Sequence, residues 1–165
     1  MKIKPIWYFP IIVLALLLLL FTFRLFSARE IDDVTPGIQC DQELLDKSDI
    51  LYVIPKFENQ TITKEWCNQI LALNKTLELH GVTHSYKEFD TTRDEAYLEE
   101  GIQIFKDCFG FEPEKFKPPQ LAISKENKIL VDNRLERKGW PNQVLHKVYH
   151  CNDSAWPRNS FMDWF

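Results

Sequence analysis

The sequence holds no Cys-x-x-Cys pair. Its four cysteines, Cys40, Cys67, Cys108 and Cys151, stand far apart, which argues against a structural zinc cluster. Outside the cytoplasm they can pair in three ways, with buried free thiols as the alternative. An excess of positive charge is also missing. The formal net charge is −4, so the charge balance gives no support to a nucleic-acid partner. There is no internal repeat, and no low-complexity stretch beyond one apolar run. Histidine is scarce, with four in 165 residues, so two of them within five residues carry information.

Residues 7–23 read WYFPIIVLALLLLLFTF without a charge, roughly the shortest apolar run that spans a bilayer core as a helix. Trp7 and Tyr8 suit a membrane interface, and Pro10 falls in the first turn, where its missing N–H costs little. A buried core helix is disfavoured because no face is polar. A cleaved signal peptide would use Lys2 and Lys4 as its positive region, but Phe26-Ser27-Ala28 puts a bulky ring where a small residue is needed. The expectation is an uncleaved single-pass anchor over residues 1–28, followed by one domain over 29–165. Lys2 and Lys4 nearly balance Arg24 and Arg29, so charge sets the orientation weakly. Sequons at Asn59, Asn74 and Asn152 fit an extracytoplasmic domain. The sequence specifies no oligomeric state.

Within that domain strands and helices alternate. A short strand is expected over 26–31, leading into Asp32-Asp33, then a turn at Thr35-Pro36-Gly37 and a short helix over 39–47. Residues 50–54, ILYVI, are apolar throughout and read as a strand buried on both faces. A helix over 63–74 carries Trp66, Ile70 and Leu73 on one stripe. Leu77-Glu78-Leu79 runs as a strand into His80. Thr92 to Glu95 fit a capping box, and the helix after it places Leu98, Ile102, Phe105 and Phe109 on one face before Gly110 stops it. Leu121-Ala122-Ile123 is a further strand candidate. This alternation predicts an α/β domain of parallel units, with ligands at the carboxyl ends of the strands.

Asp32-Asp33 and His80 both fall at such ends. In His80-Gly81-Val82-Thr83-His84 two imidazoles can reach one metal if the backbone turns at Gly81. Two histidines bonded to backbone are the plain alternative. In Asp32-Asp33 one carboxylate can bind a metal while the other serves as a base; in a regular strand the two would point to opposite faces. A solvated acidic turn is the alternative. Phe116-Lys117-Pro118-Pro119 is a stiff segment able to hold Lys117 in place. His146 and His150 supply two candidates for a general acid.

These segments together resemble the polysaccharide deacetylase (NodB-like) family, in particular its uncharacterised archaeal and bacterial branch. Ile31-Asp32-Asp33-Val34-Thr35-Pro36 is similar to the first family motif. Residues 79–85 are similar to the second, and Phe109-Gly110 through Phe116-Lys117-Pro118-Pro119 to the third. The resemblance covers residues 31–124, and residues 79–89, LHGVTHSYKEF, are its most specific stretch. It implies a distorted (β/α) barrel, here abbreviated or open because few residues separate Pro119 from His150. It implies a divalent metal, zinc by expectation, held by Asp33, His80 and His84. Asp32 would be the base and His150 the acid, with His146 as second choice. Lys117 and Pro118 would orient the base or the substrate. Lys117 stands where the family usually has arginine, and Gly81 where it often has serine. The implied function is metal-dependent removal of acetyl groups from an acetylated glycan or amino sugar by cleaving an amide C–N bond. The alternative is a non-catalytic domain of this fold that binds a glycan or partner at the membrane.

Overall fold

The computed structural model of the protein describes residues 8–58 and 60–152. Trp7, the two lysines before it, the Asn59 position of the first sequon and the last two positions of the third lie outside these residues. The leading helix α1 (Tyr8–Phe26) has a mean hydropathy of 2.6 over its apolar window and is long and apolar enough to cross a membrane. It leaves its aliphatic side chains exposed and buries Arg24. Arg24 donates to the Val144 carbonyl, and Lys147 Nζ donates to the Leu25 carbonyl at 3.4 Å, so the end of the helix is tied to the domain.

The domain then runs β1 (Arg29–Val34), α2 (Gln42–Lys47), β2 (Ile50–Val53), the hairpin β3 (Lys56–Phe57) and β4 (Gln60–Thr61), α3 (Lys64–Ala72), β5 (Thr76–Leu79) and α4 (Glu95–Phe109). It continues with β6 (Lys115–Phe116), a 3-10 turn (Pro119–Leu121), α5 (Lys125–Asp132), β7 (Glu136–Arg137), α6 (Trp140–Leu145) and β8 (Lys147–His150). Six strands form one parallel sheet in the order β7-β6-β5-β2-β1-β8. The last strand returns to pair with the first, as in a barrel, but β7 and β8 are the two edges and the sheet stays open between them.

The expected core forms as patterned. Leu98, Ile102, Phe105 and Phe109 of α4 are all buried, and Gly110 ends the helix in the left-handed region at φ 86°. Leu51, Tyr52 and Val53 of β2 are fully buried. Four expectations change. The cap of α4 is Asp94, whose carboxylate accepts from Tyr97 N–H at 2.9 Å, not Thr92. Phe26 remains in α1, and the first strand starts at Arg29. The helix expected from residue 39 starts only at Gln42, after the cap residue Asp41. Residues 121–123 form no strand: Leu121 closes the 3-10 turn at φ 54°, and Ile123 makes only an isolated bridge to Phe89. The short elements α5, β7, α6 and β8 have too few periodic positions to stand out in the sequence.

The cysteines resolve into Cys40–Cys151 and Cys67–Cys108. The first links partners 111 positions apart and staples the chain after β1 to the end of β8; the second ties α3 to α4. Non-reducing digestion and mass spectrometry should recover these two linked peptide pairs. Replacing Cys40 and Cys151 by serine should lower the unfolding free energy by about 2–5 kcal/mol, read from denaturant melts. Free thiols in the oxidised protein would contradict the pairing.

Candidate metal centre

Successive strand residues point to opposite faces, which would separate Asp32 from Asp33. β1 avoids this. Its register with β2 shifts between Ile31 and Val34, and Asp33 takes φ 66°. Both carboxylates therefore line the same cleft of about 330 Å³, beyond the carboxyl ends of the strands, with His80, His84, Pro118 and His150. His80 N–H donates to the Val53 carbonyl at 2.8 Å, so β5 carries the first imidazole to its place by the ladder itself. Gly81 follows at φ 66°, and a Cβ there would lie 2.4 Å from Glu88 Oε2 and 2.6 Å from Pro119 Cγ. His84 is also left-handed, at φ 57°. Such backbone costs of order 1 kcal/mol or more per residue and clusters at functional sites.

Glu88 holds this loop. Its fully buried carboxylate accepts from Val82 N–H and Thr83 N–H at 2.9 Å, His84 N–H at 3.0 Å and the Tyr97 hydroxyl at 2.6 Å. Burial, and after it the bond to Glu88, lifts the Tyr97 pKa to about 12. Sequence reasoning assigned Glu88 no role, although it lies within the stretch LHGVTHSYKEF.

One ligand atom from each of Asp33, His80 and His84 can be chosen so that all three lie within 4.8 Å of one another. Nε2 of His84 and of His80 stand 2.9 and 3.3 Å from Asp33 Oδ1. That oxygen is buried and yet makes no hydrogen bond, so its neighbours crowd it without satisfying it. A cation among the three atoms would do so. His80 Nδ1–H donates to the Lys117 carbonyl at 2.9 Å, which fixes the tautomer and leaves the Nε2 lone pair for the cluster. Burial pushes the Asp33 pKa up, but when no metal is bound and the Nε2 atoms of His80 and His84 carry protons, the two rings outweigh it and hold the carboxyl far below the usual range. Burial likewise pulls His84 down, and the carboxylates of Asp33 and Glu88 reverse this to a net rise. A one-carboxylate, two-imidazole set fits a divalent ion with open positions.

Asp32 is held from the other side. Lys117 Nζ, fully buried, donates to Asp32 Oδ1 at 2.9 Å, and His150 Nε2 lies 3.9 Å from Asp32 Oδ2. His146 does not line this cleft; it lines a neighbouring cavity, and its Nδ1 contacts the buried Glu30 Oε1. The structure thus brings together Asp32, Asp33, His80, His84, Lys117, Pro118 and His150, and sets His146 apart.

Fold and site define an open parallel α/β domain with an Asp-His-His cluster at the strand ends. Among solved structures it is similar to a CE4-family pseudoenzyme from Bacillus anthracis, with a TM-score of 0.57 and 12% identity over 82% of this chain and 58% of that one. A mutant of that pseudoenzyme with restored enzymatic activity aligns equally well, at TM-score 0.57 and 13% identity, covering 60% of the solved chain. The likeness establishes a fold shared with these CE4-family structures, of whose length this chain spans about 60%. No protein-family model and no curated protein matches the sequence.

Glu88→Gln turns an acceptor-only group into one that presents N–H to other N–H donors. It should destabilise the protein by about 1–3 kcal/mol in denaturant melts. An unchanged midpoint would show that the loop does not depend on this carboxylate.

Proposed function

We propose that the chain is a metal-dependent deacetylase acting on an acetylated glycan or amino sugar and held at a membrane by α1. The observation that carries this reading is that Asp32 and His150 reach the same cleft as the Asp33, His80 and His84 cluster. Those three residues would hold a divalent ion, with zinc suited to the nitrogen and oxygen donors. The bound ion would supply Lewis acidity and ease deprotonation of water. Asp32 accepts the proton of the attacking water through Oδ2, since Lys117 engages Oδ1. His150 gives a proton to the departing amine as the amide C–N bond breaks. The products are acetate and a free amino group. Lys117 keeps Asp32 in place and Pro118 shapes the cleft wall against the sugar.

The two disulfides favour an oxidising compartment, so the reading places the domain outside the cytoplasm on a single-pass anchor. A second reading is a non-catalytic binder of a glycan or membrane partner. It is favoured by lysine at position 117 and by the likeness to a pseudoenzyme.

The full-length protein in detergent should bind about one equivalent of zinc, and His80→Ala should lose it. Asp32→Asn should keep the metal and abolish acetate release from N-acetylated oligosaccharides. Metal without turnover on any acetylated substrate would favour the binder; absence of metal would sink both the site and the hydrolase.

Protons compete for the same cluster. The His84 pKa lies above its ordinary 6.5, so zinc affinity should begin to fall while the pH is still above 6.5. Stability of the metal-free protein should move oppositely. The contribution of the raised His84 pKa is complete below pH 6.5 and fades as pH rises through the folded value. Titration calorimetry and thermal melts across pH 5–9 check both signs.

A further inference from the structure

Between β7 and β8 in the chain lies α6, from which Asn142 and the following His146 reach a buried carboxylate. Asn142 Nδ2 donates to Glu30 Oε2 at 2.7 Å, and His146 Nδ1 meets Glu30 Oε1. Glu30 is completely buried, two positions before Asp32 on β1 and so on the same face. Lys117 Nζ enters between them, 3.3 Å from Glu30 Oε2 and 2.9 Å from Asp32 Oδ1, with the Tyr52 ring centroid 4.8 Å away.

We infer that Glu30 is a positioning residue for Asp32, acting through Lys117. This rests on the reading of Asp32 as the proton acceptor. An arginine fork can grip a carboxylate with two parallel bonds and define its plane alone. A lysine ammonium is a single point on a flexible stem. Here its position is defined by two acceptors on one strand, and the second acceptor is itself clamped at both oxygens by α6 and the residue after it. The clamp keeps Lys117 on Oδ1 and leaves Oδ2 of Asp32 turned to the cleft, on the side of His150. Glu30, held by two residues from the segment before β8, thereby replaces the missing half of the fork. None of these groups touches the substrate side of Asp32.

The test is the crystal structure and kinetics of Glu30→Gln, which keeps the shape and removes the charge. The expected result is a folded protein that binds zinc as the wild type does, with Lys117 Nζ moved off its site between the two acceptors and the Asp32 carboxylate turned with it from its wild-type orientation. kcat for acetate release from N-acetylated oligosaccharides should fall roughly 10–100-fold, the usual effect of losing an outer-shell partner, with KM unchanged. The pH-rate profile should shift as well, which loss of stability alone would not cause. Lys117 Nζ and the Asp32 carboxylate both in their wild-type positions, or an unchanged kcat, overturn the inference. If the wild type releases no acetate, the proposed function fails, and the crystal structures still decide whether Glu30 positions Lys117. Should Glu30→Gln not fold, His146→Leu removes one side of the clamp while keeping the Glu30 charge. It should displace Lys117 and lower kcat in the same sense, and a variant indistinguishable from wild type overturns the inference.

Discussion

A strand sends neighbouring side chains to opposite faces, so two adjacent aspartates can share a cleft only where the strand breaks its own pattern. β1 does so at Asp33, where the backbone turns left-handed and the register against β2 slips. The rest of the site is built around that step. The amide of Cys151 donates to the Asp32 carbonyl at 3.2 Å, and the Cys40–Cys151 bond pins the same corner, so β1 is held where it departs from regularity. The His80 to His84 loop makes a comparable departure and is held by the three amides that converge on Glu88. Strain at both places is tolerated because the surrounding bonds leave the backbone no alternative.

Two adjacent carboxylates repel, and the structure keeps both by giving them different company. Asp33 lies between two imidazoles, Asp32 against a buried ammonium. Separate surroundings are what allow a pair of like groups to take separate roles. The same logic extends inward. Lys117 meets two carboxylates, and Asn142 and His146 take up the remaining capacity of the second. A buried charge left without a partner would be costly, so the cluster is interdependent in a way that a surface ion pair is not.

The sheet is open, and the chain spans about 60% of the solved structures with which it shares a fold. The strand β8 still returns beside β1, carrying His150 to the carboxyl end at which Asp32 sits. The register pairs Asp32 with His150 directly. The described sheet therefore keeps Asp32 and His150 side by side at one end, and the short helix α6 leads into the strand that carries His150.

Much of this was legible in the residues. The apolar run, the buried strand at residues 50–54, the α4 stripe and its glycine stop, and the grouping of Asp32, Asp33, His80 and His84 all follow from local patterns of apolarity and from chemistry written in short motifs. The rest was not legible, because it depends on which residues meet across long stretches of chain. Glu30 and Lys117 are 87 positions apart, Glu30 and His146 are 116, and the cysteine partners are 111 and 41 apart. The sequence by itself determined the longer elements and the residue types of the candidate metal cluster, since periodicity and backbone preference are local. Only the tertiary structure decided that Asp33 turns to join Asp32, that His150 and not His146 faces the cleft, and that a glutamate behind Lys117 completes the cluster. Those outcomes depend on strand register and on desolvated charges finding partners, which no stretch of sequence contains.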